Sequence, residues 1–381
     1  MVTETPVYIT STEELEKANE KLARAPIIAV DLEADSMYHF EEKVCLLQMA
    51  TDKSCFIIDP LAVTDLSPLA PVFSDKNTIK IFHGSDYDVR SLYRDFGFRI
   101  ENLFDTELAC RFLGYPRSSL EAVLKLHFNV TLDKKYQKKD WSIRPLPEEM
   151  IAYAANDVRY LVDLYHHISK ALAEKERLDW ALETCEVICR SRPEGNNGED
   201  KPLFTGIKGA GRLDPRSLAV LEKLAFYRQQ VAKKKDRPPY KIMSNTAIME
   251  IARKKPQTMA QLSRSALLSK KQVQMYGSSV VQAVLAAIDI PEENLPRYPK
   301  TQRSASSPVV SRRIDALKKW RERKARQLEM DPAMLINNTA IKTIAKQEPK
   351  TLPELKSVEI LRNWQVETFG EQWIKTIVKT A

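Results

Sequence analysis

Ala25-Pro26-Ile27-Ile28-Ala29-Val30-Asp31-Leu32-Glu33 is an apolar run that ends on two carboxylates. An uninterrupted run of this length reads as a buried strand. Its last acids, Asp31 and Glu33, are two residues apart, so on a strand they leave the same side. Adjacent carboxylates repel and raise each other's pKa unless a cation sits between them, and Mg²⁺ or Mn²⁺ is the natural resolution. The plainer alternative is a pair of solvated acids in a loop that starts where the strand stops.

Reading outward, Val44–Ala50 and Cys55–Asp59 are strand candidates joined by Thr51-Asp52-Lys53-Ser54, short enough for a hairpin turn. Thr78–His83 is a further strand, running into a helix that begins near Ser85 or Asp86, either of which could cap it. A long helix is expected from about Pro147 to Lys170, with Tyr153 and Asp157 one turn apart on a shared face. Strands interleaved with helices predict an α/β domain with a mixed sheet.

The polar, Gly-containing stretch 191–200 interrupts all apolar periodicity and reads as a boundary. Beyond it the pattern is helical and repeats. Asn245-Thr246-Ala247-Ile248 returns as Asn338-Thr339-Ala340-Ile341, an offset of 93 that also carries Pro239 onto Pro332, Pro256 onto Pro349 and Gly277 onto Gly370. Two copies of one helical module follow from this, joined through the Pro- and Ser-rich segment 291–308.

A chain of 381 residues with 43% hydrophobic and 29% charged residues carries enough apolar mass for two or three cores, which excludes a disordered or collagen-like protein. It has no apolar stretch long enough for a membrane helix, and its first residues lack signal-peptide character, so a soluble, cytoplasmic protein is expected. Cys45, Cys55, Cys110, Cys185 and Cys189 form an odd set without a CxxC pair and read as reduced, buried thiols. The net charge of +8 hides an asymmetry: about −11 over residues 1–200 against about +19 over 201–381. Such a divide points to nucleic-acid contact by the basic half.

The ordered set Asp31-x-Glu33, His83-x4-Asp88 and Tyr153-x3-Asp157 resembles the three motifs of the DEDDy branch of 3′–5′ exonucleases. Leu132-Asp133-Lys134, Asp140-Trp141 and Arg144-Pro145-Leu146, leading into Tyr153–Leu161, bring the resemblance closer to the ribonuclease D family, and the two basic repeats are similar to its HRDC modules. The resemblance implies an α/β ribonuclease H-like exonuclease domain with a mixed sheet over residues 1–190, a linker at 191–205, and two all-α helical-bundle HRDC domains at 206–290 and 309–381, separated by a linker at 291–308. It further implies hydrolysis of phosphodiesters with two divalent cations, Mg²⁺ or Mn²⁺, held by Asp31, Glu33, Asp88 and Asp157. By analogy Asp31 bridges the ions, Glu33 and Asp157 complete the site that activates water, and Asp88 holds the second ion through water. Tyr153 orients the attacking water, because a phenol with a pKa of about 10 is a poor base at neutral pH.

Asp35 and Asp86 fall outside the motif positions, and Asp86 reads as a helix cap. Lys134 and Lys138 form the main positive cluster of the acidic half and, with Trp141, are candidate substrate contacts. Gln48 and His83 are further candidates, each with a structural reading beside it. In the basic half Lys234, Lys235, Lys254, Lys255 and Lys271 are candidate phosphate contacts, whereas Tyr227, Trp320, Trp364 and Trp373 read as core. The expected activity is a monomeric exoribonuclease acting on RNA with a single-stranded 3′ end, precursor tRNA foremost, and releasing nucleoside 5′-monophosphates. A related DNA exonuclease, or a non-catalytic RNA-binding protein that keeps the fold, are the alternatives.

Overall fold

The computed structural model describes residues 4–192, 201–299 and 307–380. Residues 193–200 and 300–306 of the two expected linkers lie outside the described residues. The rest form two units, one drawn from residues within 1–34, 44–193 and 304–381, the other from residues within 35–43 and 194–303.

The first unit is built on a six-stranded mixed sheet. Its strands are β1 (Val7–Ile9), β2 (Ile27–Ala34), β3 (Val44–Ala50), β4 (Cys55–Ile58), β5 (Ile79–Phe82) and β6 (Leu103–Asp105), arranged β1-β4-β3-β2-β5-β6. β2, β3 and β4 pair antiparallel, while β1 joins β4, β5 joins β2 and β6 joins β5 in parallel. Every residue of β3 and β4 is buried. That is why their sequences are near-continuous apolar runs instead of alternating ones. The carboxylate-bearing strand β2 lies inside the sheet, flanked by β3 and β5.

Helices α1 (Thr12–Leu22), α2 (Asp86–Phe96), α3 (Thr106–Leu113), α4 (Glu148–Arg159), α5 (Leu161–Glu174) and α6 (Leu178–Cys189) pack around this sheet. The single helix expected from Pro147 to Lys170 is therefore two, broken at Tyr160 (φ −105°, ψ −6°). The break lets α4 cover β2, β3 and β4 while α5 packs on β2, β5 and α3.

The second unit is helical, with α7 (Pro215–Lys234), α8 (Asn245–Lys254) and α9 (Lys270–Ile288) closing over Leu218, Leu221, Ile248, Ile251, Val280 and Val284. Asp214, Ser244 and Ser269 accept hydrogen bonds from the first-turn N–H groups of these helices, so each start is written in its cap. The segment between β2 and β3, residues 35–43, belongs to this unit: Phe40 N–H donates to Asp236 Oδ1 at 3.1 Å and His39 Nδ1 lies 2.7 Å from Asp236 Oδ2.

The second copy of the repeat comprises α10 (Pro308–Leu328), α11 (Asn338–Gln347) and α12 (Asn363–Val378). The offset of 93 reappears as conserved geometry within the molecule. Arg228 Nη1 donates to Met243 O and Asn245 Oδ1 at 3.1 and 2.7 Å, and Arg321 Nη1 donates to Ile336 O and Asn338 Oδ1 at 3.2 and 3.0 Å. Gln272 Nε2 donates to Ile242 O at 2.9 Å, as Gln365 Nε2 does to Leu335 O. Trp320, Trp364 and Trp373 are buried, as their helical spacing predicts.

This copy shares one continuous core with the sheet domain. The Trp180 and Trp364 rings stack at 4.5 Å and 14°, and Arg111 pairs with Asp331 at 2.8 Å. Glu183 on α6 accepts from the N–H groups of Asn363 and Trp364 at 2.6 and 2.9 Å, capping α12 from outside. Gly114 ends α3 at φ +83°, and a Cβ there would stand 1.7 Å from the carbonyl oxygen of Glu329, so only glycine fits. All five cysteines are buried and unbridged, and among the described residues no helix is long and apolar enough to cross a membrane.

Candidate active site

β2 carries Asp31 and Glu33 out of one face of the sheet, and the register sets them opposite Gln48 and Leu46 of β3. α4, covering the same strands, contributes Tyr153 and Asp157 one turn apart. Asp88 arrives from a third direction, in the first turn of α2, after the chain leaves β5 through Gly84 at φ +84°. That turn is held by Asp105 at the end of β6, whose carboxylate accepts from Gly84 N–H at 2.9 Å and from the Ser85 N–H and hydroxyl at 2.8 and 2.7 Å. The same carboxylate caps α3 through Glu107 and Leu108. Neither Ser85 nor Asp86 caps α2 with its side chain, contrary to the sequence reading: Ser85 is spent on Asp105, and Asp86 pairs with Arg90 at 2.7 Å.

The electrostatics show that these groups share one cleft. Burial, then repulsion by Asp31, Asp157 and Asp88, pushes Glu33 up to about 10. Burial pushes Asp31 up to about 7, against the lowering effect of the Leu32 N–H. Asp88 and Asp157 are raised by burial and by the charge of Asp31. The Tyr153 phenol is raised by burial and by Asp157, Glu33 and Asp31, so it stays protonated across the neutral range.

These are four crowded carboxylates without an ion-pair partner among the described residues, the condition that hard divalent cations relieve. The donor set, all oxygen and formally fourfold negative, suits Mg²⁺ or Mn²⁺. Among the described residues no three acidic, histidine or cysteine side chains already converge tightly enough to hold one ion.

Tyr153 sits in an aromatic recess, with Tyr136 edge-on at 5.7 Å and Trp141 at 6.1 Å. Trp141 is 1% exposed, so its ring is out of reach of an incoming base. The loop carrying it is anchored by Arg144, which grips Asp59 with Nε at 2.6 Å and Nη2 at 2.7 Å and also donates to Trp141 O and Cys45 O at 2.8 Å. Asp59 and Asp105 carry no sequence signal as parts of the site. Asp105 could be read as a helix cap, but its grip on Gly84 and Ser85 follows only from β5 and β6 being neighbours.

Lys134 and Lys138 are exposed on the loop before Trp141, Lys134 pairing with Glu121. His83 is bonded through Nδ1 to Thr106 Oγ1 at 2.8 Å, and burial lowers its pKa. Asp35 is buried and accepts from Lys43 N–H at 2.8 Å, a contact of the second unit. In that unit Lys234, Lys235, Lys254 and Lys271 are exposed, and Lys255 lies 3.6 Å from Asp214. Lys235, Arg237, Lys241 and Lys271 line a groove of about 430 Å³ beside Tyr276.

Compared with known proteins, residues 6–173 match a family described as 3′–5′ exonuclease, and residues 217–284 and 311–377 each match the HRDC domain. The chain is 31% identical over 339 residues to a ribonuclease D of Desulfotalea psychrophila, covering 88% of this chain and 89% of that protein. Among solved structures, Escherichia coli RNase D shares the fold over 99% of both chains, with a TM-score of 0.73 and 24% identity. The catalytic core of RRP6 from Trypanosoma brucei is 30% identical, with a TM-score of 0.66 over 75% of this chain and 80% of that one.

Proposed function

Because the chain belongs to the ribonuclease D family of 3′–5′ exoribonucleases, we propose that Asp31, Glu33, Asp88, Tyr153 and Asp157 are its hydrolytic site and that it trims the 3′ ends of precursor tRNA and other small structured RNAs. The observation that carries this reading is the meeting of four mutually repelling carboxylates and a protonated phenol, delivered by β2, α2 and α4 from three distant parts of the chain. Two divalent cations, Mg²⁺ or Mn²⁺, would supply the Lewis acidity that makes water nucleophilic near pH 7 and stabilises charge on the leaving 3′-oxygen. Asp31, Glu33 and Asp157 would hold one and Asp31 and Asp88 the other.

The remaining work falls to the chain's own groups. The Tyr153 hydroxyl orients the attacking water as a hydrogen-bond partner, since a phenol with a raised pKa does not take its proton. Water adds to the terminal phosphorus, the bond to the 3′-oxygen of the preceding nucleotide breaks, that oxygen takes up a proton, and a nucleoside 5′-monophosphate leaves. Lys134 and Lys138 guide the single-stranded end by its phosphates. The exposed lysines of residues 206–290 hold the body of the RNA, through contacts that weaken with salt. We assign residues 1–190, 206–290 and 309–381 as the nuclease and the two HRDC domains, in a protein that acts as a monomer.

The test is a 3′-extended tRNA incubated with Mg²⁺ or Mn²⁺, with EDTA as control, and its products resolved nucleotide by nucleotide. Stepwise shortening by the wild type, and none by Asp31→Asn or Asp157→Asn, is expected. Near-wild-type activity in either folded variant, or a strong preference for a matched DNA strand, overturns the assignment.

A further inference from the structure

Gln48 is fully buried on β3, with a relative exposure of 0%. Among the described residues it is the one side chain with two buried polar atoms, Nε2 and Oε1, that both lack a hydrogen-bond partner. A buried amide left unsatisfied at both ends is a standing cost to the fold, and such groups call for an explanation in function or in a missing partner. An apolar residue of the same size would serve packing better, as Leu46 and Leu47 do on the same strand.

The location supplies the explanation. Gln48 is the direct cross-strand partner of Asp31 in the antiparallel β2–β3 pair. Directly opposed residues point to the same face, with Cβ atoms about 4.5–5.5 Å apart, within reach of a glutamine amide. The Asp31 carboxylate accepts from the Leu32 N–H, has no side-chain donor among the described residues, and bears by its charge on Glu33, Asp88 and Asp157 alike. Two neighbouring groups, one with free amide donors and one with acceptor capacity to spare, are thus set side by side and not yet joined.

We propose that Gln48 is a positioning residue for Asp31: with a divalent cation bound, Gln48 Nε2 would donate to an Asp31 carboxylate oxygen and fix its orientation. Carboxylates that ligate metals depend on such outer partners, whose loss weakens metal binding about tenfold to a hundredfold. The inference rests on the carboxylate site argued above. It gives the amide, unsatisfied in the cation-free fold, a part in cation affinity.

The two roles make opposite predictions for Gln48→Met, which keeps length and volume without the amide. A positioning role predicts a melting temperature in EDTA equal to or above that of the wild type, together with Mn²⁺ binding weakened about tenfold by calorimetry. A purely structural role predicts a lower melting temperature and unchanged Mn²⁺ affinity, and that result overturns the proposal. Gln48→Asn keeps the amide but draws it back by one methylene. It should weaken Mn²⁺ as Gln48→Met does, and wild-type affinity in this variant also sinks the proposal, whether or not Gln48→Met folds. Asp31→Asn is the separate control. If Asp31→Asn leaves Mn²⁺ binding intact, the carboxylate site itself is wrong; if it abolishes binding while both Gln48 variants bind normally, only the role of Gln48 fails.

Discussion

Asp105 holds Ser85 by both its N–H, at 2.8 Å, and its hydroxyl, at 2.7 Å, and so ties the end of β6 to the turn that launches Asp88. The carboxylate is 3% exposed and accepts from five groups in all. Asp105→Asn replaces one acceptor oxygen by a donor facing N–H groups, at a cost of about 1–3 kcal/mol for the buried bonds lost. We expect a lower midpoint in urea and, in the folded fraction, a lower kcat, because Asp88 is no longer held against the other carboxylates. A variant that is destabilised yet fully active would show that the turn keeps its shape without Asp105.

Arg144 and Asp59 form a second anchor, on the loop that walls in Tyr153. Burial raises the Asp59 pKa, but the hydrogen bonds from Arg144 and Tyr8 outweigh it and hold the group below the ordinary carboxylate range. An acid depressed in the folded state stabilises the fold above its unfolded pKa of about 4, and that contribution is lost as pH falls through the folded value. Arg144→Met leaves a buried carboxylate without its cation, held only by Tyr8 and backbone N–H groups, and should cost about 3 kcal/mol at pH 7. The difference from wild type, followed by denaturant titration, should start to shrink below about pH 4 and vanish only once the pH falls beneath the depressed folded value, where Asp59 is protonated in both.

How much of this was legible beforehand differs between the sheet and the site. Strands β2, β3 and β4 were readable because a strand buried on both faces needs an unbroken apolar run, and the duplicated module because its offset of 93 preserves residues whose hydrogen bonds repeat, Arg228 with Asn245 and Arg321 with Asn338. The acids were readable through their motif spacing. Asp105, Asp59 and the stacking of Trp180 on Trp364 were not, since each joins segments whose adjacency depends on strand order or on docking of distant helices. The break at Tyr160 also escaped, because apolar periodicity passes through it without a proline or glycine to mark it.

The shared core of the sheet domain and the second helical copy is open to a direct test. Trp364 is 5% exposed and contacts Trp180, Phe112 and Phe369. Trp364→Ala should cost about 3–5 kcal/mol, the range for large aromatic truncations in a core. It should lower the midpoint of the transition reported by nuclease activity as well as that of the helical signal. If activity survives to the wild-type midpoint while helicity is lost early, the two melt independently.

Tyr153 offers a test of positioning against proton abstraction. Its phenol is raised by burial and by the neighbouring acids, so it carries its proton throughout the range in which the enzyme is assayed. Tyr153→Phe removes the hydroxyl and keeps the ring that Tyr136 and Trp141 enclose. We expect kcat to fall about tenfold to a hundredfold, with KM for RNA and Mn²⁺ affinity unchanged. The pH dependence of kcat between 7 and 9 should keep its shape. A limb present in the wild type and missing in Tyr153→Phe would instead assign the phenol as a base.

The carboxylate cluster predicts how stability depends on pH without metal. Asp31 is raised to about 7 and Glu33 to about 10, both first by burial, whereas unfolded they titrate near 4. Between those limits the folded chain binds more protons than the unfolded one, so its stability declines as pH rises. In EDTA the melting temperature should therefore drop from pH 5 to pH 8, and less steeply in Glu33→Gln, which lacks one of the raised groups. Mn²⁺ must displace these protons to bind, so its stabilising effect should be larger at pH 8 than at pH 5. Equal slopes in EDTA for the wild type and Glu33→Gln would mean that Glu33 is already compensated in the cation-free protein, and the case for a cation between these acids would lose its electrostatic basis.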